Sequence, residues 1–296
     1  MSVLILNQTK EVDDHMKLLT GQAAEALQKR DLEFRNYTDS PHIDRVRNNY
    51  KLNHENQTLD FVLEKKAKVL KLDKVEMTIW EAAELIDTLV DESDPDTALG
   101  QIEHLLQTAE ALREAFPEQD WLHLVGFIHD LGKVIGTPAL YNDPQWCVVG
   151  DTFPVGCAHA PEIVFHELFA NNADTKNPKY NTKYGIYEPN CGLDNVHFSF
   201  GHDEYMYQVC VQNQSTLPPE ALYIVRYHSF YSWHTHGAYD HLCNDADRAA
   251  HHWVKTFQAF DLYSKTDERI DVAAVKPYYL ALIDKYFGSH ERKLNW

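Results

Sequence analysis

Apolar residues recur along much of this chain with the spacing of an amphipathic helix. The i, i+3, i+4, i+7 pattern occurs twice in the middle of the chain, at Ile102, Leu105, Leu106 and Ala109 and again at Trp121, Leu124, Val125 and Ile128. Further helices are predicted near residues 11–30, 41–52, 57–72, 77–90, 97–115, 202–212, 218–229, 244–263 and 273–287. The pattern predicts an all-α protein, a single compact helical domain.

Residues 134–200 interrupt the helical periodicity. They are rich in Gly, Pro, Asn and Asp, which predicts long loops with short elements. Long ordered loops in a compact domain often carry function, so we expect them to cover a site. No linker divides the chain, and we predict an N-terminal arm over residues 1–33 and one helical domain over residues 34–296.

Composition and charge narrow the partners. The 296 residues are 44 % hydrophobic and carry a formal net charge of −18, which disfavours nucleic acid and anionic membranes. Five scattered cysteines without a CxxC motif argue against a disulfide framework and fit a reducing compartment. The sequence contains no apolar run long enough to span a membrane, and the apolar run at its N-terminus is too short for a signal peptide. We therefore expect a cytoplasmic protein. We also expect it to be a monomer.

Several common catalytic motifs are missing from the sequence. There is no G-x-G-x-x-G dinucleotide fingerprint and no G-x-S-x-G nucleophile elbow, and the glycine spacing near Gly126 is wrong for a P-loop. His166-Glu167 lacks the second histidine of a zincin helix, and residues 91–96 lack the glycine of a calcium-binding loop. These absences leave a different kind of metal chemistry as the main candidate.

His129 and Asp130 end an apolar helical run and are the strongest candidates for chemistry. A carboxylate emerging from a buried helix face would cost several kcal/mol if nothing compensated its charge. A metal ion compensates it, and the two oxygens of one carboxylate can bridge two metals roughly 3.5–4 Å apart. A buried pair that is only hydrogen-bonded is the alternative on this motif alone.

Other potential ligands lie on separate predicted helices: His104, His202, His228 and Asp261. If Asp130 bridges, one metal can take His104, His129, Asp130 and Asp261, and the other Asp130, His202 and His228. The second metal would then have more open positions for substrate or oxygen. Four imidazoles and two carboxylates favour iron or another transition metal over magnesium.

Two other functions stay open on these residues. A helical His-Asp phosphohydrolase would use a similar metal core, but it needs a basic phosphate pocket, and few Arg or Lys cluster near the motif. A helical binding protein without catalysis would leave the buried His-Asp pair unexplained.

Many segments in one order resemble the myo-inositol oxygenase family, roughly from Phe34 to Trp296. The matching stretches are residues 34–37, 91–96, 129–133, 144–146, 148–157, 191–193, 201–205, 228–231 and 260–263. The resemblance implies a helical domain of the HD type that holds two iron ions, an Fe(II)/Fe(III) pair. It also implies that the enzyme cleaves the ring of myo-inositol with O2 as co-substrate and gives D-glucuronate.

The resemblance also implies roles for individual residues. The metal ligands are His104, His129, Asp130, His202, His228 and Asp261. Substrate contacts are expected from Arg35, Asp91, Glu92, Ser93, Lys133, Gly150, Asp151, His228, Ser229 and Lys265. Asp130 and Lys133 are the expected catalytic residues, Lys133 because it follows His129 by one turn and should project beside the metals. Residues 136–143 form a longer segment than the animal pattern of this family has, which bears on the shape of the lid and not on the ligands.

Overall fold

A computed structural model describes residue 37 and residues 40–94, 100–263 and 269–296. The α-helices of these residues are α1 (Ile43–Asn56), α2 (Leu59–Val69), α3 (Ile79–Ile86), α4 (Gln101–Ala115), α5 (Asp120–Ile128), α6 (His202–Gln212), α7 (Pro219–Tyr227), α8 (Tyr231–His234), α9 (Asp245–Tyr263) and α10 (Val272–Phe287). Two short strands, β1 (Glu76–Met77) and β2 (Leu294–Asn295), pair antiparallel. The all-α prediction is confirmed for the described chain.

The predicted helices agree with the observed ones to within a few residues at most ends. The helix predicted over 202–212 begins and ends where expected, and Pro219 occupies the first turn of α7. A capping box of Thr78 and Glu81 begins α3, which is shorter than its prediction of 77–90. The short helix α8 was not predicted. The helix predicted over 11–30, and with it the N-terminal arm, lies outside the described residues.

Helix α5 runs through the centre of the core. Its side chains from Leu122 to Ile128 are fully buried, and the ring of Phe127 stacks on Trp80 at 5.1 Å between centroids. At Gly126 a Cβ atom would lie 2.6 Å from the Cα of Ala109, so only glycine lets α4 approach this closely. This close contact fixes α4 beside the end of α5, where His129 follows.

The segment between α5 and α6 is built from loops and short 3-10 helices, as predicted. The 3-10 helices span Leu131–Gly136, Gln145–Cys147, His166–Asn171, Ala173–Lys176 and Leu193–Asn195. Much of this segment is buried, including Val148, Phe153 and Val155. A loop packed this way presents fixed backbone atoms to its surroundings.

The C-terminus is tied back to the domain. The Trp296 side chain is fully buried and its Nε1 donates to the Met77 carbonyl at 3.0 Å, next to the β1–β2 pair.

All five cysteines are free thiols, in agreement with the sequence. None of the described helices is both long enough and apolar enough to cross a membrane.

Candidate metal centre

Helix ends deliver six histidine and aspartate side chains to one buried place. His129 caps the C-terminus of α5 and Asp130 follows it. His202 is the first residue of α6, and His228 caps the C-terminus of α7. The remaining two side chains lie within helices, His104 in the first turn of α4 and Asp261 in the last turn of α9.

Asp130 lies at the centre of this cluster and faces two groups of imidazoles. Its Oδ2 lies 3.7 Å from His104 Nε2 and 3.5 Å from His129 Nε2. Its Oδ1 lies 3.1 Å from His202 Nε2 and 3.6 Å from His228 Nε2. Each group has its ligand atoms within 4.8 Å of one another, as a single metal ion requires. The carboxylate is therefore shared between two potential metal positions.

Asp261 joins the first of the two groups. Its Oδ1 lies 3.0 Å from His104 Nε2 and 3.2 Å from His129 Nε2. The first group thus contains two imidazoles and two carboxylates, and the second contains two imidazoles and the shared carboxylate. The sequence analysis divided the same six side chains between two metal ions in this way, and their role as ligands stays a prediction.

Backbone carbonyls fix the tautomer of three of these histidines. The Nδ1 atom lies 2.9 Å from the Gly126 oxygen in His129 and 2.8 Å from the Val148 oxygen in His202. In His228 it lies 3.1 Å from the Val225 oxygen. Because a carbonyl oxygen can only accept, each Nδ1 carries the proton and Nε2 is left for a ligand.

The cluster brings the lone pairs of nitrogen and oxygen atoms close together, and a cation between them would offset their repulsion. His129 Nε2 is buried without a hydrogen-bond partner among the described residues, although two carboxylates lie nearby. The Nε2 atoms of His202 and His228 are only 3.2 Å apart. Bare imidazole nitrogens and carboxylate oxygens all repel one another unless positive charge lies between them. The residues present therefore fit metal ions, and the nitrogen-rich set suits a transition metal.

The electrostatics of the cluster lead to the same conclusion. Burial would lower the pKa of His202, but the carboxylates of Asp203 and Asp130 raise it to about 10. Burial would raise the pKa of Asp130, but Lys133 and His129 hold it well below its usual value. The carboxylates are therefore ionised, and they attract whatever positive charge is available, a proton or a metal ion.

Lys133 places an ammonium directly on the shared carboxylate. Its Nζ lies 2.7 Å from Asp130 Oδ2, 2.8 Å from Asp91 Oδ2 and 3.1 Å from Gln101 Oε1. Burial would lower the pKa of Lys133, but Asp130 and Asp91 raise it above its ordinary value, so the group is charged. Asp91 in turn accepts hydrogen bonds from the backbone amide and hydroxyl of Ser93 at 2.8 and 2.6 Å.

The loop at Gly150 and Asp151 reaches the same region. Gly150 has φ +96°, a left-handed conformation that favours glycine, and a Cβ there would lie 3.6 Å from the Cβ of Ser93. The Tyr50 hydroxyl donates to Asp151 Oδ1 at 2.9 Å. Tyr50, which the sequence did not single out, therefore holds the Asp151 carboxylate in place.

The predicted residues not yet placed divide into three cases. Ser229 lies beside the second group, with its Oγ 3.4 Å from His202 Nε2. Glu92 lies between Asp91 and Ser93 in the chain and its side chain is exposed. Arg35 and Lys265 lie outside the described residues.

Asp203 belongs to the cluster and was missed by the sequence reasoning. Its Oδ1 lies 2.8 Å from His202 Nε2 and accepts from the Ser229 hydroxyl at 3.0 Å, while Oδ2 accepts from the Ser229 amide at 3.2 Å. The signal was present, because His202-Asp203 repeats the His-Asp pair of His129-Asp130 on a second buried helix end.

These features define the class as an all-α protein with a paired histidine–aspartate metal centre at its helix ends. The family model for myo-inositol oxygenase matches residues 43–296. The chain belongs to the myo-inositol oxygenase family, as its sequence segments predicted.

Curated relatives agree over nearly the whole chain. The chain is 54 % identical to a probable inositol oxygenase of Oryza sativa subsp. japonica, over 89 % of this chain and 85 % of the relative. It is 51 % identical to inositol oxygenase 1 of Arabidopsis thaliana, over 97 % and 92 %. It is 49 % identical to an inositol oxygenase of Dictyostelium discoideum, over 97 % of both chains.

Proposed function

We propose that this protein is an inositol oxygenase that uses O2 to open the ring of myo-inositol and form D-glucuronate. The observation that carries the proposal is the shared Asp130 carboxylate, whose two oxygens face two separate imidazole groups in a chain of this family. One O2 and one inositol give one glucuronic acid and one water, a four-electron oxidation that breaks one C–C bond.

Two iron ions are the proposed cofactor. The first would be held by His104, His129, Asp130 and Asp261, and the second by Asp130, His202 and His228, which leaves the second more open. When bound, an Fe(II)/Fe(III) pair supplies the redox chemistry, because it can bind O2 and substrate oxygens and exchange electrons with them.

Recognition of a neutral hexol depends on directed hydrogen bonds, and the structure offers both donors and acceptors. The Lys133 ammonium can donate to a substrate oxygen and favours the deprotonated form of a hydroxyl beside it. The Asp91 and Asp151 carboxylates can accept from hydroxyls, and the Ser229 hydroxyl can do either. Asp130 and Lys133 are thus the proposed catalytic residues.

The remaining sequence expectations stay part of the proposal. Glu92, Arg35, Gly150 and Lys265 are proposed substrate contacts, with Gly150 acting through its backbone. We further propose one domain over residues 34–296, of the HD type, with residues 1–33 as an arm. The protein would act as a cytoplasmic monomer without nucleic acid or membrane partners, consistent with its net charge of −18.

The phosphohydrolase alternative has less support. A phosphate group is an anion and needs cations whose charge is not already balanced, whereas the charge of Lys133 is balanced by two carboxylates. The family match also separates the chain from hydrolases. We therefore propose the oxygenase alone.

Oxygen uptake tests the proposal directly. Protein loaded with iron and partly reduced should consume one O2 per myo-inositol and yield one glucuronate. The control variant Asp130→Asn keeps the shape of the side chain but removes its charge. It should lose both O2 consumption and glucuronate formation. Phosphate release from a phosphomonoester panel with manganese, without O2 uptake on inositol, would refute the proposal.

A further inference from the structure

A cavity that contains none of the proposed metal ligands lies between α8 and α9. Its volume is about 360 Å³, within the usual range of small-molecule sites. Its wall is formed by Trp233, His234, Thr235, Gly237, Asp240, Arg248, His251 and Lys255. None of these residues takes part in the proposed metal or substrate contacts.

The charged groups of this cavity, which we call the rear cavity, have the opposite sign to the protein as a whole. Among the described residues of its wall Arg248 and Lys255 are cations and Asp240 is the one carboxylate, a sum of +1, while the whole chain carries −18. Outside the wall, the exposed Asp245 lies 3.4 Å from Arg248, so Lys255 carries the unbalanced positive charge. Lys255 is exposed and makes no ion pair within the described part of the chain. A local positive site on an acidic surface attracts a small anion.

The polar groups also select the kind of anion. Arg248 Nη2 donates to Asn190 Oδ1 at 2.8 Å and Nη1 lies 3.4 Å from the exposed Asp245, so one edge of the guanidinium is already oriented. An anion can bind the guanidinium and the Lys255 ammonium, whereas Asp240 would repel a bare anion. A hydroxyl group could donate to Asp240 and turn this repulsion into a hydrogen bond.

We propose that the rear cavity binds a small anionic polyol, one that carries a carboxylate or a phosphate together with hydroxyl groups. A carboxylate could come from a sugar acid such as D-glucuronate, and a phosphate from an inositol monophosphate. Both present an anion for Arg248 and Lys255 and hydroxyls for Asp240. Anion binding at this place goes beyond the proposed oxygenase activity and does not depend on it.

One residue separates the rear cavity from a proposed metal ligand. The His234 ring, in the cavity wall, lies with its Nε2 2.8 Å from the carbonyl oxygen of His228. The ring of His251 packs edge-on against Trp233 at 4.9 Å and donates to the His234 backbone carbonyl. These contacts connect a molecule bound against His251 and His234 to the segment that carries His228, which would allow the two sites to be coupled.

Calorimetry on the iron-loaded protein tests the binding. D-glucuronate, inositol 1-phosphate, inorganic phosphate and neutral myo-inositol would each be titrated into the wild type and into Lys255→Glu. We expect a glucuronate or inositol phosphate isotherm whose affinity falls at least tenfold in Lys255→Glu. Lys51→Glu, the same charge change on an exposed position of α1, should bind like the wild type.

A second variant separates the rear cavity from the metal centre. Lys133→Ala alters the proposed catalytic site and should leave anion binding in the rear cavity unchanged. The proposal is wrong if neither anionic polyol binds, if Lys255→Glu binds them like the wild type, or if the affinity falls only in Lys133→Ala. Inorganic phosphate binding as tightly as both polyols would contradict the role given to Asp240.

Coupling to the metal centre has its own measurement. Because linkage between two binding sites is reciprocal, saturating anion should change the apparent Kd of myo-inositol, and Lys255→Glu should abolish that change. The shift expected for such coupling is about fivefold or more. An inositol Kd that is unaffected by the anion would contradict a link through His234.

Discussion

Lys133 is the side chain on which the proposed substrate chemistry depends most. It is buried, and its ammonium bridges Asp130 and Asp91 at 2.7 and 2.8 Å. A buried charge that loses its partner costs about 3–5 kcal/mol, so these three groups hold one another in place. A substrate oxygen that enters beside the shared carboxylate could replace Gln101, the most distant of the three acceptors of this ammonium at 3.1 Å.

Replacing Lys133 by Met should therefore affect catalysis much more than metal binding. We expect kcat/KM to fall by about 100-fold or more, about 3 kcal/mol, because Asp91 loses its counter-charge and the substrate loses a donor. Iron content should stay near that of the wild type. Lys71→Met, at an exposed position, is the matched control, and a loss below threefold in Lys133→Met would contradict the assigned role.

Tyr50 acts on the site through Asp151, so its removal should affect substrate binding. Tyr50→Phe removes the hydroxyl that donates to Asp151 at 2.9 Å. We expect KM for inositol to rise about tenfold with unchanged iron content, since a hydrogen bond to a charged group contributes about 1.5–3 kcal/mol. Tyr223→Phe removes a hydroxyl that donates to Asp247 in the same way, and this variant should leave KM unchanged. Equal effects of the two variants would disprove a special role for Tyr50.

At the scale of secondary structure, the candidate metal centre forms where the ends of several helices meet. Much of this was predictable, because apolar periodicity located the helices, and the His-Asp pair at the end of a buried helix marked the centre. All six predicted ligands lie in one cluster, although their role as ligands stays a prediction. Asp203 was missed although its motif repeats that of Asp130. Tyr50 could not be found, because it meets Asp151 from 101 residues away through packing that no local pattern encodes.

Two glycines of the 3-10 helix Leu131–Gly136 test whether its close approach to the start of α6 positions the metal centre. At Gly132 a Cβ would lie 2.0 Å from the His202 carbonyl oxygen, whereas at Gly136 the nearest atoms are 3.6 Å away. Gly132→Ala must push the turn away from the start of α6. We expect a stability loss of about 3 kcal/mol and reduced iron content, measured by chemical denaturation and metal analysis.

Gly136→Ala, in the same turn, is the control for the glycine substitution. It should change the free energy of unfolding by no more than about 0.5 kcal/mol and leave iron content unchanged. Similar behaviour of the two variants would show that the close approach of Gly132 to His202 does not position the centre.

For the whole molecule, buried histidines outside the metal centre predict how stability depends on pH. The ring of His54 stacks on Phe169 at 4.0 Å, and burial lowers its pKa to about 4 despite its contact with the Val164 carbonyl. The unfolded chain, with an ordinary histidine pKa near 6.5, binds more protons between pH 6.5 and 4. His54 therefore contributes stability above pH 6.5 that is lost as the pH falls towards 4.

Denaturation at pH 7 and pH 5 measures this contribution. Between these values His54 should account for a loss of about 2 kcal/mol, so the wild type should lose that much more stability than His54→Gln. His236→Gln, at an exposed position, should lose as much as the wild type. Equal losses in the wild type and His54→Gln would show that His54 is not kept neutral by burial.

The central claim is that the six histidine and aspartate side chains hold two irons bridged by Asp130, and that inositol binds at this pair. Metal analysis combined with EPR and Mössbauer spectroscopy, before and after adding myo-inositol, tests it most directly. We expect two irons per chain and, after partial reduction, a coupled mixed-valent signal that changes when inositol binds. One iron per chain, two uncoupled irons, or a coupled signal that does not respond to inositol would contradict the claim.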